Sequence, residues 1–493
     1  MIRFLLGDER VEVDDVDPNT TVLDWLRASG RVGTKEGCAS GDCGACTVTT
    51  VHLAEAPVDS AADTADLDYR PVNACIALLG SLDGCQLLTV EDLADPVTGD
   101  LHPVQRAMVD RHGSQCGFCT PGFVMSMFAW MHGEPTTDRH DVDTALSGNL
   151  CRCTGYRPII AAARDVATAR PTDRFDAAAT TTAASLADLA ETRADDAAAS
   201  LAHGGRRWTA PRSLHEAITV LAEEPAATPV SGATDLALAI TQDDRRFGTL
   251  VDLSRVPELH VLEVDEDRIV VGAAVPLVTA APVLATHWPA VTELFERYGS
   301  VPIRSRATLG GNLSTASPIG DSPPLLLALD ATVVVAGPDG RRRVAIDDFF
   351  VDYRRTVLAP GELVAAVEVP TPSDGWFLSV SKVSKRLDDD ISAVCGMFHL
   401  ALSDDVITDA RVAFGGMAAT PARARACEQA LVGGRLDDAT LEAARTALAD
   451  DFSPIDDMRA SAAYRTRVAG NLLERAVREA RGEDRLRVTT AAT

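Results

Sequence analysis

The stretch Gly37-Cys38-Ala39-Ser40-Gly41-Asp42-Cys43-Gly44-Ala45-Cys46 sets three cysteines among three glycines. Backbone this rich in glycine bends tightly, so the stretch reads as a loop whose thiols can turn toward one point. Upstream, apolar and polar residues alternate over Ile2–Leu6 and Val11–Val13, the chain turns at Asp17-Pro18-Asn19, and Val22–Ala28 has helical spacing. That pattern predicts a hairpin followed by a helix that leads into the loop.

Cys38, Cys43 and Cys46 follow C-x4-C-x2-C, the plant-type ferredoxin spacing, in which a loop wraps thiolates around a [2Fe–2S] cluster. The fourth ligand should lie downstream. Cys75, within Pro71-Val72-Asn73-Ala74-Cys75-Ile76, follows an expected hairpin in an apolar setting and is the first choice, with Cys85 as its rival. Zinc sites usually pair two C-x2-C knuckles, and the step from Cys38 to Cys43 fits that poorly.

A second group joins Cys116-Gly117-Phe118-Cys119 to Cys151-Arg152-Cys153. Between and around them Val104–Arg111, Gly122–Met131 and Val142–Leu146 carry helical spacing punctuated by glycine, proline and cysteine, which predicts a small all-helical region from Pro103 to about Ala167. Helix ends there can bring four thiolates to a second cluster. C-x2-C alone also serves zinc and redox dithiols, whereas C-x-C leaves little room to chelate zinc tetrahedrally.

The totals agree with ligation rather than disulfides. The chain has eleven cysteines, an odd number, and its opening, Met1 to Val13, is broken by charge too early for an export signal, which points to the cytoplasm. Hydrophobic residues are 46% and charged residues 24%, and no apolar run is long enough to cross a membrane, so no membrane is expected. A formal charge of −26 without a basic stripe argues against a nucleic-acid partner. At 493 residues the chain should divide into roughly three or four domains.

Residues 169–206 are mostly small or polar and offer little to bury, so they read as a linker. Beyond them Ser213–Ala222 has helical spacing, while Leu250–Leu253, Ile269–Ala273 and Thr332–Val335 read as strands of a mixed region. A final section from about Leu378 alternates at Val380, Val394, Phe398 and Leu400 and ends in alanine-rich helices. Two glycine-containing stretches, Pro229-Val230-Ser231-Gly232-Ala233-Thr234-Asp235-Leu236 and Ala307 to Asp321, have the small residues of diphosphate-binding loops but lack a G-x-G-x-x-G fingerprint.

His112-Gly-Ser-Gln-Cys-Gly-Phe-Cys-Thr-Pro-Gly122 and Gly148-Asn-Leu-Cys-Arg-Cys-Thr-Gly-Tyr156 resemble the iron–sulfur region of the molybdenum hydroxylases, the xanthine dehydrogenase and aldehyde oxidase family, over about residues 1–165. The two glycine stretches resemble that family's FAD-binding loops. The resemblance implies a multidomain α+β chain. Residues 1–92 would be a β-grasp plant-type ferredoxin domain, 93–168 a four-helix [2Fe–2S] domain and 169–206 a linker. Residues 207–377 would form an α+β FAD-binding domain of the vanillyl-alcohol-oxidase/PCMH type, and 378–493 an α+β C-terminal flavoprotein domain.

The resemblance also implies roles. Val230, Ser231, Gly232, Ala233, Thr234, Asp235, Leu236, Thr308, Gly310, Gly311, Asn312 and Thr315 would contact FAD. Asp321 would lie near its polar end, Tyr298 against the isoalloxazine ring, and Lys382 beside a flavin oxygen or phosphate. Lys382 stands out because the chain's only other lysines are Lys35 and Lys385. Pro302 and Ser305 depart from the glutamine and asparagine common in relatives.

Gln115 and Cys153 would face the molybdopterin of a large partner subunit, in a heterodimer or heterotetramer. Electrons from a purine such as hypoxanthine or xanthine would pass through both clusters to FAD and on to NAD+, and no residue of this chain would perform the hydroxylation. Fusion of the cluster and flavin domains on one chain favours the purine-oxidising branch. Aldehyde or N-heterocycle oxidation, a stand-alone NAD(P)H:acceptor reductase, and a zinc-bearing binding module are the other readings.

Overall fold

The computed structural model describes residues 1–54, 67–195 and 199–483; among these, those up to 255 together with 300–306 form one compact unit, and 256–299 with 307–483 form a second. The first unit opens with β1 (Ile2–Leu6), β2 (Glu9–Val13), α1 (Val22–Ala28), β3 (Thr47–Leu53), β4 (Leu67–Asn73) and β5 (Gln86–Leu88). They make one sheet in the order β2-β1-β5-β3-β4. β1 runs parallel to β5, and the other pairs are antiparallel, which is the β-grasp arrangement. Ile2 and Phe4 of β1 alternate inward with Val48 and Leu87 onto Val22, Leu23 and Leu26 of α1. Thr21 caps that helix, its hydroxyl accepting the Asp24 N–H at 3.1 Å.

Four helices follow, α2 (Pro103–Asp110), α3 (Thr120–Met131), α4 (Arg139–Leu146) and α5 (Arg157–Ala169). They share a core of Val104, Met108, Phe123, Met127, Phe128, Val142, Leu146 and Ile159. α3 is the central one, buried along most of its length, and its spacing is accordingly apolar all round.

The expectation of a structureless linker is corrected. A helix, α6 (Arg174–Asp195), fills most of it, β6 (Ala199–His203) follows, and β7 (Arg206–Ala210) begins at its end; residues 196–198 lie outside the described residues. Alanine has the highest helix propensity, so the stretch needs little burial to hold its shape. Phe175, Ala183, Leu186 and Leu189 supply that burial, the two leucines packing with Leu5 and Leu67. Asp173 starts the helix, one carboxylate oxygen accepting N–H groups of Phe175 and Asp176 at 2.8 and 3.0 Å.

The unit is completed by α7 (Leu214–Glu223), β8 (Thr228–Val230), α8 (Leu236–Thr241) and β9 (Thr249–Asp252), with strand order β6-β7-β9-β8. Ser213, expected as the first helical residue, is instead the cap of α7, its hydroxyl accepting the Glu216 N–H at 3.2 Å.

The second unit holds β10 (Leu262–Val264), β11 (Arg268–Gly272), α9 (Leu277–His287) and α10 (Thr292–Glu296) before the chain contributes α11 (Val301–Arg304) to the first unit. It resumes with α12 (Leu309–Thr315), α13 (Ser322–Ala328), β12 (Thr332–Gly337), β13 (Gly340–Ala345), the small hairpin β14 (Phe350–Asp352) and β15 (Arg355–Thr356), and β16 (Leu363–Pro370). The five-stranded sheet β10-β11-β16-β12-β13 is antiparallel throughout.

A second antiparallel sheet, β17 (Trp376–Val383), β18 (Val394–Ser403), β19 (Val406–Gly415) and β20 (Ala422–Arg423), is covered by α14 (Arg425–Leu431), α15 (Asp438–Asp451) and α16 (Ala462–Ala480). Phe398, Phe414, Leu441, Leu448 and Leu473 fill the layer between them. Among the described residues no helix is long and apolar enough to cross a membrane.

Candidate iron–sulfur and flavin sites

The loop between α1 and β3 brings Cys38, Cys43 and Cys46 together, and Cys75 reaches them from just beyond β4. Ala39, Gly41 and Gly44 all take the left-handed conformation, which coils the loop. Its carbonyls are tied outward: Ala39 accepts the Thr241 hydroxyl at 2.7 Å and the Gln242 amide at 2.9 Å, and Gly41 accepts the Asn73 amide at 2.7 Å. Its N–H groups turn inward, those of Ser40 and Cys43 each lying 3.4 Å from the Cys38 sulfur.

The four thiols share protons with one another. Hydrogen bonds from Cys43 and then Cys75 hold the Cys38 thiol far below its ordinary value, and a hydrogen bond from Cys75 lowers Cys46 against its burial. Donation to Cys38, followed by burial for Cys43 and by donation to Cys46 for Cys75, pushes those two up. A set of four convergent sulfurs with inward N–H groups fits a thiolate-bound [2Fe–2S] centre. Cys85 does otherwise, its thiol donating to the Leu82 carbonyl at 3.0 Å.

Cys119 is the residue at which α3 begins, where the helix N-terminus favours a thiolate. It and Cys151 share a hydrogen bond, as do Cys116 and Cys153. Burial, then the Cys151 thiol, pushes Cys119 up to about 12. Burial opposes the Cys151 thiolate, but the Thr154 hydroxyl and backbone N–H groups hold it below its ordinary value. Cys116 is lowered by the Phe118 N–H and then by Cys153. Cys116, Cys153 and Gln115 are exposed, beside the partly exposed apolar side chains of Phe118, Leu150 and Tyr156.

The two groups are joined by a seam that sequence reading missed. The Leu150 N–H donates to the Cys43 carbonyl at 3.0 Å. Buried Asn149 donates to the Gly44 carbonyl at 3.0 Å and accepts the Ser126 hydroxyl at 2.6 Å. A Cβ at Gly122 would stand 2.0 Å from the Gly44 oxygen, and one at Gly44 would stand 2.1 Å from the Gly148 oxygen, so both positions require glycine. Asn149 lies inside the Gly148–Tyr156 motif, but nothing local announces a partner about a hundred residues away.

The remaining segments are distributed between the units. In the first, Val230 ends β8 with its carbonyl accepting the Leu253 N–H at 2.7 Å, and Ala233 takes a left-handed φ of 62° before Asp235 and Leu236 start α8. Backbone bent this way turns successive N–H groups to one side, as a phosphate requires. The Gly232 carbonyl accepts the Arg306 guanidinium at 3.1 Å. Pro302 sits in the first turn of α11, where no N–H is needed, and the Ser305 hydroxyl donates to the Val301 carbonyl at 2.9 Å, so both departures are accommodated locally.

In the second unit Thr308 caps α12, its hydroxyl accepting the Gly311 N–H at 2.9 Å. Gly310 packs so closely on Ala273 that a Cβ would lie 2.5 Å from the alanine methyl. Asn312 accepts the Ser322 hydroxyl at 2.5 Å, and the Thr315 hydroxyl donates to the Gly311 carbonyl at 2.8 Å. Tyr298, just past α10, is half-buried.

Lys382 is not a free point charge. Its ammonium donates to Asp321 at 2.7 Å and to the Arg297 carbonyl at 2.8 Å, and both side chains are nearly out of water. Asp321 also accepts the Ser392 hydroxyl at 2.5 Å.

A polar cluster in the first unit went unread in the sequence. His102, capping α2, accepts the Val104 N–H at Nδ1, so Nε2 carries the proton it donates to Asp173 at 2.6 Å. His132, at the end of α3, meets the same oxygen at 3.1 Å. Burial opposes the Asp173 carboxylate, yet these bonds and those of the α6 cap hold it well below the usual range.

A folded value below the unfolded one, near 3.9, gives stability that is complete above that pH and is lost as pH falls toward the folded value. Asp173→Asn, which sets an amide against a ring N–H, should therefore cost about 2–3 kcal/mol at pH 7. The cost should shrink below about pH 4, as measured by unfolding of both chains at the two pH values. An equal cost at both would refute the carboxylate's role.

Residues 5–80 match the family of 2Fe-2S iron-sulfur cluster binding domains, and residues 89–164 match the [2Fe-2S] binding domain family. Residues 200–372 match the FAD binding domain in molybdopterin dehydrogenase, and 379–480 the CO dehydrogenase flavoprotein C-terminal domain. The chain is 33% identical to a xanthine dehydrogenase of Emericella nidulans over 92% of its own length and 36% of that protein's. It is 30% identical to a xanthine dehydrogenase/oxidase of Gallus gallus over 92% and 38%.

The chain thus spans little more than a third of these curated relatives. Among solved structures, a chain of the CO dehydrogenase from Oligotropha carboxidovorans superposes with a TM-score of 0.53 at 28% identity, covering 56% of this chain and 98% of that one. A chain of quinoline 2-oxidoreductase from Pseudomonas putida 86 gives 0.52 at 28%, covering 56% and 96%. With these four domains in this order along most of its length, the chain belongs to the molybdenum hydroxylase family and carries that family's two [2Fe-2S] domains and its FAD-binding module.

Proposed function

We propose that this chain is the electron-transfer subunit of an NAD-dependent xanthine dehydrogenase, working with a large subunit that holds molybdopterin and oxidises hypoxanthine or xanthine. The observation that carries the reading is the seam between the cysteine groups, where the Leu150 N–H on the Cys43 carbonyl links a residue beside Cys151 to a ligand of the other group. The match to xanthine dehydrogenases along 92% of this chain supports a purine as substrate over the carbon monoxide and quinoline of the structural neighbours' names.

Cys116, Cys119, Cys151 and Cys153 would hold the cluster on the partner side, where Gln115 and Cys153 are exposed to meet the molybdopterin subunit. Cys38, Cys43, Cys46 and Cys75 would hold the other. The loop Val230–Leu236 and, separately, Tyr298, Thr308–Thr315 and Asp321 are proposed as FAD contacts. Lys382 would act there by holding Asp321 in place rather than by reaching the flavin itself. When bound, the clusters carry single electrons and the flavin delivers a pair to NAD+ as hydride.

Purification with the natural partner, followed by iron, molybdenum and flavin quantitation, tests the assembly. In that complex Cys116→Ala or Cys151→Ala should abolish purine-to-NAD+ turnover while direct NADH–dye activity stays largely intact. Unchanged purine turnover in both, or a stable lone chain with full dye activity and no partner, would sink the proposal.

A further inference from the structure

In the second group the Cys151 sulfur meets a side-chain hydroxyl, and the geometry around it is built rather than incidental. Its Sγ lies 3.3 Å from Thr154 Oγ1. That oxygen already accepts the Tyr156 N–H at 3.2 Å, and the Tyr156 hydroxyl in turn accepts the Cys151 N–H at 3.0 Å. Tyr156 closes this ring from a left-handed conformation, φ 67°, which few non-glycine residues adopt without a local reason. A hydroxyl has one proton, and a thiolate ligand has none. With Cys151 ligating metal, the proton in the 3.3 Å contact is therefore the threonine's.

We propose that Thr154 is a positioning residue that sets the reduction potential of the second cluster, its hydroxyl being oriented by the Tyr156 N–H to donate to the Cys151 sulfur. The inference rests on the reading that Cys151 is a cluster ligand. A donor aimed at a ligand sulfur stabilises the reduced centre, which carries one more negative charge, and so raises its potential. The first group does not depend on that threonine: the donors on Cys38 are the backbone N–H groups of Ser40 and Cys43 together with the Ser40 hydroxyl. One threonine thus adjusts how readily the exposed group accepts an electron, leaving the other group alone.

The test is an EPR-monitored redox titration of the cofactor-loaded chain, with iron quantitation. Thr154→Val should lower the second-cluster midpoint so that the reduced-to-oxidised ratio at fixed potential falls about tenfold, which for one electron is about 59 mV. Thr154→Ser should restore it, and the first cluster should not move. Thr154→Ala stands in if the valine methyl disturbs assembly.

An unchanged midpoint in a variant that keeps its iron would overturn the inference while leaving the cluster reading intact. Loss of the second signal in both Val and Ala but not Ser would replace tuning by a role in assembly, which also overturns it. Iron for only one cluster in the unaltered chain would overturn the cluster reading and the inference together.

Discussion

Cys75→Ala is expected to lose half of the chain's iron, and Cys85→Ala none of it. Both cysteines are buried, ten residues apart, in apolar surroundings. Cys75 shares hydrogen bonds with Cys38 and Cys46, so its removal leaves three sulfurs around a centre that needs four. Cys85 instead donates to the Leu82 carbonyl three residues back in the chain, and trimming it to alanine removes one buried sulfur, at a cost of about 1 kcal/mol. Iron per chain and the visible absorption of the two variants decide the matter. Retention of full iron by Cys75→Ala, or its loss from Cys85→Ala, would reverse the assignment.

Lys382→Met should destabilise the second unit by about 3–5 kcal/mol, because it strands the Asp321 carboxylate in a buried site. Methionine matches the length of the lysine stem, so the loss is that of the ammonium and its two bonds, to Asp321 and to the Arg297 carbonyl. The Ser392 hydroxyl remains on Asp321 but carries no charge. Adding Asp321→Asn to Lys382→Met should recover most of the stability, since neither charge is then left without its partner. Hydrogen exchange of the β17 and β18 amides follows both. A change below about 1 kcal/mol in the single variant, or no recovery in the double, would show that the pair is not what holds this end of β17.

Much of this molecule is written in short-range order. The hairpin of β1 and β2, the helix α1 and the helices around the second cysteine group follow from spacing, because side-chain periodicity and backbone propensity act over a few residues. The loop at Gly37–Cys46 follows from its glycines and cysteines for the same reason. Alanine-rich 174–195 shows where that logic misleads: a stretch poor in large apolar residues still folds as α6, since propensity, the Asp173 cap and two leucines are enough.

That two groups of cysteines exist, and which loops and helices present them, follows from spacing along the chain, because ligand spacing and secondary structure are local properties. Spacing preferred Cys75 to Cys85, and the fold brings it to Cys38; that Asn149 and two glycines lock the two groups together, and that Lys382 is paired with Asp321, comes from the tertiary structure alone. Each of those choices is a contact between residues distant in the chain, fixed by which surfaces pack. A buried polar group must find a partner wherever folding brings one, and sequence order does not say where that is.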